Sequence, residues 1–239
     1  MPREELRVYA SWTDGDRWCV QEVAKLDPGD SQSFDASHLA ATHSVEGALL
    51  WFLFPESLPD TLDSLPVRPD LLSTVPDWRA NIQLCSPTTS VSYQGEYPDS
   101  MLGIPKGSLV SIGPMDQASE GVTTKLILTN IRKDPQVLDR TLAITGLQSG
   151  RILDEFEVKT NHCNVLDITD GIRAAGEPTG LLSPDMAGIP VYFSHDSEYE
   201  FMSLEHTHPP ITLTMFGNTE QRMGMVRRMK QYWLEKANR

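Results

Sequence analysis

Three of the six histidines in this 239-residue chain fall in one stretch, Gly188 to Gly217. His195 is followed by Asp196, and His206 and His208 stand in Glu205-His206-Thr207-His208-Pro209-Pro210. The stretch has the composition of two or three β-strands, and in a strand residues two apart share a face. His206 and His208 can therefore present two imidazoles to one divalent transition metal. His195 and Glu205 complete the candidate ligand set, although Glu205 points to the opposite face unless a bulge turns it. The same residues suit a structural role. His206 continues the alternation of Met202 and Leu204, a packed register, and the pair adjoins Pro209-Pro210 at a strand end, where imidazoles bond to backbone. Two histidines without a third ligand do not make a metal site.

The string His206-Thr207-His208-Pro209 resembles part of the JAMM-type zinc hydrolase motif, and its H-x-H resembles that of the cupins. Either resemblance implies a metal-dependent enzyme, a hydrolase or a cupin-like protein. The chain departs from both patterns. Phe216 and Thr219 stand where the hydrolase motif has serine and aspartate, and Thr212 and Leu213 where cupins place a carboxylate. Asp196, Glu198 and Glu200 have the spacing of a strand edge or a calcium loop. They lack the glycine and the regular oxygen ligands of an EF-hand, which leaves a solvated loop. His162-Cys163, in a stretch read as a turn, is a nucleophile dyad by residue type. Adjacent strand residues point apart, however, so each would need a partner from elsewhere. Phosphate-cradling and nucleophile-elbow motifs are missing from the sequence, so no cofactor-binding residue is assigned.

The elements that must position these residues are mostly strands. Leu6–Trp12 and Trp18–Leu26 flank an Asp-Gly-Asp turn. Gly47–Phe54 is a continuous apolar run suited to burial on both faces. Residues 55–76 hold five prolines among leucines. They are expected as an irregular segment over the body, with helical turns confined to Asp60–Leu65 or Asp70–Ser73. Ile82–Cys85 and Ser90–Tyr93 are short strands. Lys125–Ile131, Arg140–Gly146 and Arg151–Thr160 follow in series, with Phe156 and Val158 on the buried face of the last. Helix is expected at Thr169–Ala175 and at Thr219–Lys236. The second would carry an amphipathic stripe of Met225 or Val226, Met229, Tyr232 and Trp233.

The two halves echo each other. Phe34-Asp35-Ala36-Ser37 leads through Ala40-Ala41 to Gly47 and Trp51-Phe52. Leu166-Asp167-Ile168-Thr169 leads through Ala174-Ala175 to Gly188 and Tyr192-Phe193. Order and register favour an internal duplication: two tandem immunoglobulin-like β-sandwich units, residues 1–100 and 101–217, and a C-terminal helix over 218–239. The Asp-x-Ser/Thr element would be a turn or short helix crossing between sheets, its aspartate holding free backbone N–H groups.

The net charge of -13 argues against general nucleic-acid binding. Residues 219–239 carry +4, so the remainder, at -17, is an acidic body with a basic tail. No apolar run is long enough for a signal peptide or a bilayer span. The three cysteines suggest neither a disulfide framework nor a zinc knuckle. A cytoplasmic protein is expected. Sandwich surfaces and five tryptophans point to binding of a protein or glycan partner, and the metal enzyme centred on His206 and His208 is the alternative.

Overall fold

The computed structural model describes residues 6–27, 29–66, 81–94, 108–111, 120–183 and 189–206, and these residues are mainly β. β1 (Leu6–Thr13) and β2 (Trp18–Leu26) form the expected hairpin. Asp14 closes it by accepting the N–H groups of Asp16 and Arg17 at 2.9 and 2.7 Å. The short helix α1 (Ala36–Thr42) leads to β3 (Leu50–Phe54), which returns antiparallel to β1. β4 (Thr61–Leu62) pairs with β2 and completes a sheet of order β3-β1-β2-β4.

The apolar run becomes a strand only from Leu50, lies at the sheet edge, and keeps all five residues half-buried. A run of apolar residues does not record whether it will have one strand neighbour or two. Residues 60–65 are not helical: Thr61 and Leu62 are extended, and Val20 donates to the Asp60 carbonyl at 2.8 Å. Sheet pairing outweighs the weak local preference for a turn.

β5 (Asn81–Cys85) and β6 (Ser90–Gln94) form a separate hairpin. Two four-stranded antiparallel sheets follow. The first, of order β10-β9-β12-β7, is built from β7 (Ser108–Ser111), β9 (Asp139–Gly146), β10 (Ile152–Lys159) and β12 (Thr179–Ser183). The second, of order β11-β8-β13-β14, is built from β8 (Thr123–Asn130), β11 (His162–Asp167), β13 (Ile189–His195) and β14 (Met202–His206). Helix α2 (Thr169–Ala175), ended by Gly176 at φ +63, carries the chain from β11 in one sheet to β12 in the other.

The two sheets share a core. Leu126, Leu128 and Tyr192 from one meet Leu142, Ile144, Val158 and Leu181 from the other, and Ile168 and Ile172 close one end. Each such side chain contributes about 1.5–3 kcal/mol on full burial. Phe156 packs against this cluster on the same face of β10 as Val158, as the alternation predicted.

The echo between the halves is local. Asp35 caps α1 by accepting the His38 N–H at 3.0 Å, and Asp167 accepts the Thr169 N–H at 3.0 Å. α2 crosses between sheets as expected, but α1 joins strands of a single sheet. β3 follows α1 directly and is an edge strand. β12 intervenes between α2 and β13, and β13 is an interior strand. The two glycine-led strands therefore hold different topological positions.

The N-terminal sheet meets the two later sheets at Asn161, which is fully buried and has φ +51. Its side chain donates to the Asp134 and Gln136 carbonyls at 2.8 and 3.0 Å and accepts from the Arg132 N–H at 2.7 Å. Its carbonyl accepts the Ala48 N–H at 3.4 Å. Nearby, the buried Trp18 indole donates to the Lys133 carbonyl at 2.9 Å. Trp18, Ala48, Leu65 and Ile131 form a second, smaller core across this joint.

Candidate functional site

Candidate ligands from the histidine-rich stretch lie on β13 and β14, and the strand register separates them. His195 pairs with Met202, while His206 pairs with Val191. Four positions of a strand, at about 3.3 Å each, put their backbones roughly 13 Å apart. Glu205, on the same strand as His206, is exposed. The His206 side chain and all of His208 lie outside the described residues, as do residues 219–236, where the second helix was expected. Among the described residues, no three His, Cys, Asp or Glu side chains come together as a metal-holding group.

His195 belongs instead to an aromatic stack. It is 7% exposed, and its ring lies 5.1 Å from Phe193 and 4.4 Å from Tyr199, nearly parallel to the latter at 11°. Nδ1 is 2.7 Å from the Asp196 carbonyl, so the N–H sits on that nitrogen. Among the described residues Nε2 has no hydrogen-bond partner.

Asp196 builds the turn between β13 and β14. Its carboxylate accepts the N–H groups of Glu200 and Phe201 at 2.9 and 3.2 Å. Aspartate favours this local bonding because its short side chain reaches backbone a few residues on. The turn forces Tyr199 to φ +57, an uncommon value for an aromatic residue. The β5–β6 hairpin braces it from outside. Ser86 donates to the Tyr199 carbonyl at 3.2 Å, and Thr89 to that of Glu200 at 3.0 Å.

The result is a fixed hairpin tip with exposed rings. Tyr199 and Phe201 are 39% and 44% exposed, and the exposed Glu198 and Glu200 stand beside them. An aromatic face held by stacking can pack on an apolar partner surface, on the face of a sugar ring, or against a cation. The carboxylates add hydrogen-bond acceptors.

A second feature is a cleft of about 320 Å³ between β10 and β11, lined by Asp139, Glu157, Lys159, His162, Cys163 and Asn164 among others. His162 and Cys163 were expected in a turn. They instead begin β11, and the turn is made by Asn161 one residue earlier. An asparagine that tolerates the left-handed conformation is the signal that could have placed it. Burial holds the His162 imidazole below its usual range, Lys159 pushes the same way, and Glu46 opposes both. Cys163 is exposed as a residue, and partial desolvation of its sulfur by the surrounding chain raises the thiol, against a weaker lowering by the Thr129 side chain. A nucleophilic cysteine needs a depressed pKa. Asn164 beside His162 and Cys163 bonds to the backbone of Lys159 in both directions, at 2.8 and 2.9 Å.

Among the described residues, no helix is long and apolar enough to cross a membrane. Comparison with protein families, with curated proteins and with solved structures finds no match to this chain.

Proposed function

We propose that the chain is a non-catalytic binding or assembly protein that engages a protein or glycan partner through the tip between β13 and β14. One observation carries this. Tyr199 and Phe201 stay exposed on a turn that is stacked from beneath, held by Asp196 and braced by Ser86 and Thr89. Rigid aromatic side chains expend little conformational entropy on binding, which is why they dominate recognition surfaces. The groups at the end of β13 that could have done chemistry support the same conclusion. His195 is in a stack and Asp196 holds the turn that follows β13.

Two immunoglobulin-like units in tandem, working in the cytoplasm, remain part of this proposal. The shared core of the two four-stranded sheets supports a sandwich for the second unit. Elemental analysis of protein purified without a histidine tag separates this function from a metal enzyme centred on His206 and His208. We expect no stoichiometric transition metal, and a stability loss of about 1–3 kcal/mol for His206→Ala or His208→Ala wherever a buried hydrogen bond is broken. Stoichiometric zinc, iron or manganese that disappears in both variants overturns the proposal.

A further inference from the structure

The strand β3 breaks the usual rule for sheet edges. Natural edge strands are guarded by charge, proline, a bulge or a cover, because their outward N–H and C=O groups will pair with any available strand. β3 reads Leu50-Trp51-Phe52-Leu53-Phe54, without a charge or proline, and its five register pairs with β1 run without a bulge. Among the described residues β1 is its only strand neighbour. Every second residue of such a strand turns its backbone groups away from the sheet. All five side chains are half-buried, so an added strand would cover apolar surface on both faces. Pro55 ends the strand and limits the added segment to about its own length.

We infer that the free edge of β3 takes up an extended segment of a partner protein, apolar in its centre and basic at its ends. Charge decides the flanks. Glu56, two residues after the strand, is exposed and has no Lys or Arg partner among the described residues, and Glu46, four before it, is exposed and acts only on the His162 imidazole. The nearest cation on β1, Arg7, is engaged by Glu22 at 2.7 Å. The chain's net charge of -13 draws a basic segment in. A second copy is a poor occupant, since it carries the same charge. A five-residue edge also falls well short of the roughly 800 Å² per partner of a standard interface. Addition of one strand is an established way for a short segment to gain affinity from main-chain hydrogen bonds. This site is separate from the hairpin tip and does not depend on it.

The test uses the full chain and two blocked synthetic peptides, Lys-Lys-Val-Thr-Val-Thr-Val-Lys-Lys and its glutamate-flanked counterpart. Fluorescence anisotropy gives affinity, and hydrogen exchange reports the amides of residues 50–54. The lysine-flanked peptide should bind at least about tenfold tighter, weaken with salt and slow exchange in that strand. Leu53→Lys, which places a guard charge on the edge, should lower affinity about tenfold or more with an unchanged circular dichroism spectrum. Glu46→Gln with Glu56→Gln leaves the strand intact, and should cost roughly 3–10-fold and flatten the salt dependence. It decides the matter should Leu53→Lys misfold. Failure of both peptides to bind at millimolar concentration, or protection elsewhere in the chain, overturns the inference. So does a dimer that Leu53→Lys abolishes, which makes a second copy the occupant. Binding seen only after residues 207–239 are removed overturns it as well, in favour of the chain's own basic tail.

Discussion

Replacing Asn161 should be among the most damaging single changes in the described part of the chain. Its side chain makes three hydrogen bonds to backbone, to Arg132, Asp134 and Gln136, at 2.7 to 3.0 Å. At about 1 kcal/mol net for each bond, their loss costs roughly 3 kcal/mol. The backbone adds a second contribution. φ at this residue is +51, where alanine costs roughly 1–2 kcal/mol and glycine almost nothing. Asn161→Ala should therefore lose roughly 4–5 kcal/mol, a large share of the 5–15 kcal/mol typical of a domain. Asn161→Gly should lose about 1 kcal/mol less than alanine, even though it makes no side-chain bond either. Urea unfolding at constant m-value reads both differences from the midpoint. A loss under about 1 kcal/mol for Asn161→Ala would refute the hydrogen-bond account. Equal losses for alanine and glycine would refute the backbone account.

Asp35→Ala removes the cap of α1 and should cost about 0.5–2 kcal/mol, read by the same unfolding assay, with Asp35→Asn recovering much of it. His162 gives a pH dependence. Burial depresses its folded pKa below the usual value of 6.5, so below that pH the unfolded chain takes up its proton first. Stability should be full above about pH 6.5 and fall as pH drops through the window beneath it. His162→Gln should flatten that part of a melting-temperature profile, and an unchanged profile would assign the dependence to other groups.

How much of this was legible in the sequence depended on whether a signal was local. The hairpin β1–β2, the strands β8 to β10, the short helix α2 and the bonding of Asp35 and Asp167 to free backbone N–H groups could all be read from neighbouring residues. What could not be read was set by partners distant in the chain. The run holding β3 was expected to be buried on both faces and is only half-buried, with one strand neighbour among the described residues, because strand order is a property of the whole sheet. The two glycine-led strands share a sequence pattern but not a topological place, since the pattern does not register an intervening β12. At the candidate site, the histidine motif pointed to ligands by residue type alone. The rings that form the tip were hidden in an unremarkable loop, where only the placement of Phe193, His195 and Tyr199 on one stack gives them meaning.

The central claim is that the chain works by binding through the β13–β14 tip. The most direct measurement immobilises the full chain and its Tyr199→Ser/Phe201→Ser variant side by side, and compares the protein or glycan each one captures. Both side chains are more than a third exposed, so the variant should fold, losing at most about 1 kcal/mol from the stack with His195. The account predicts that the wild-type chain retains a defined partner, and that the folded variant retains at least about tenfold less of it. Equal retention by the two proteins, with the variant's unfolding midpoint confirming its fold, would contradict it.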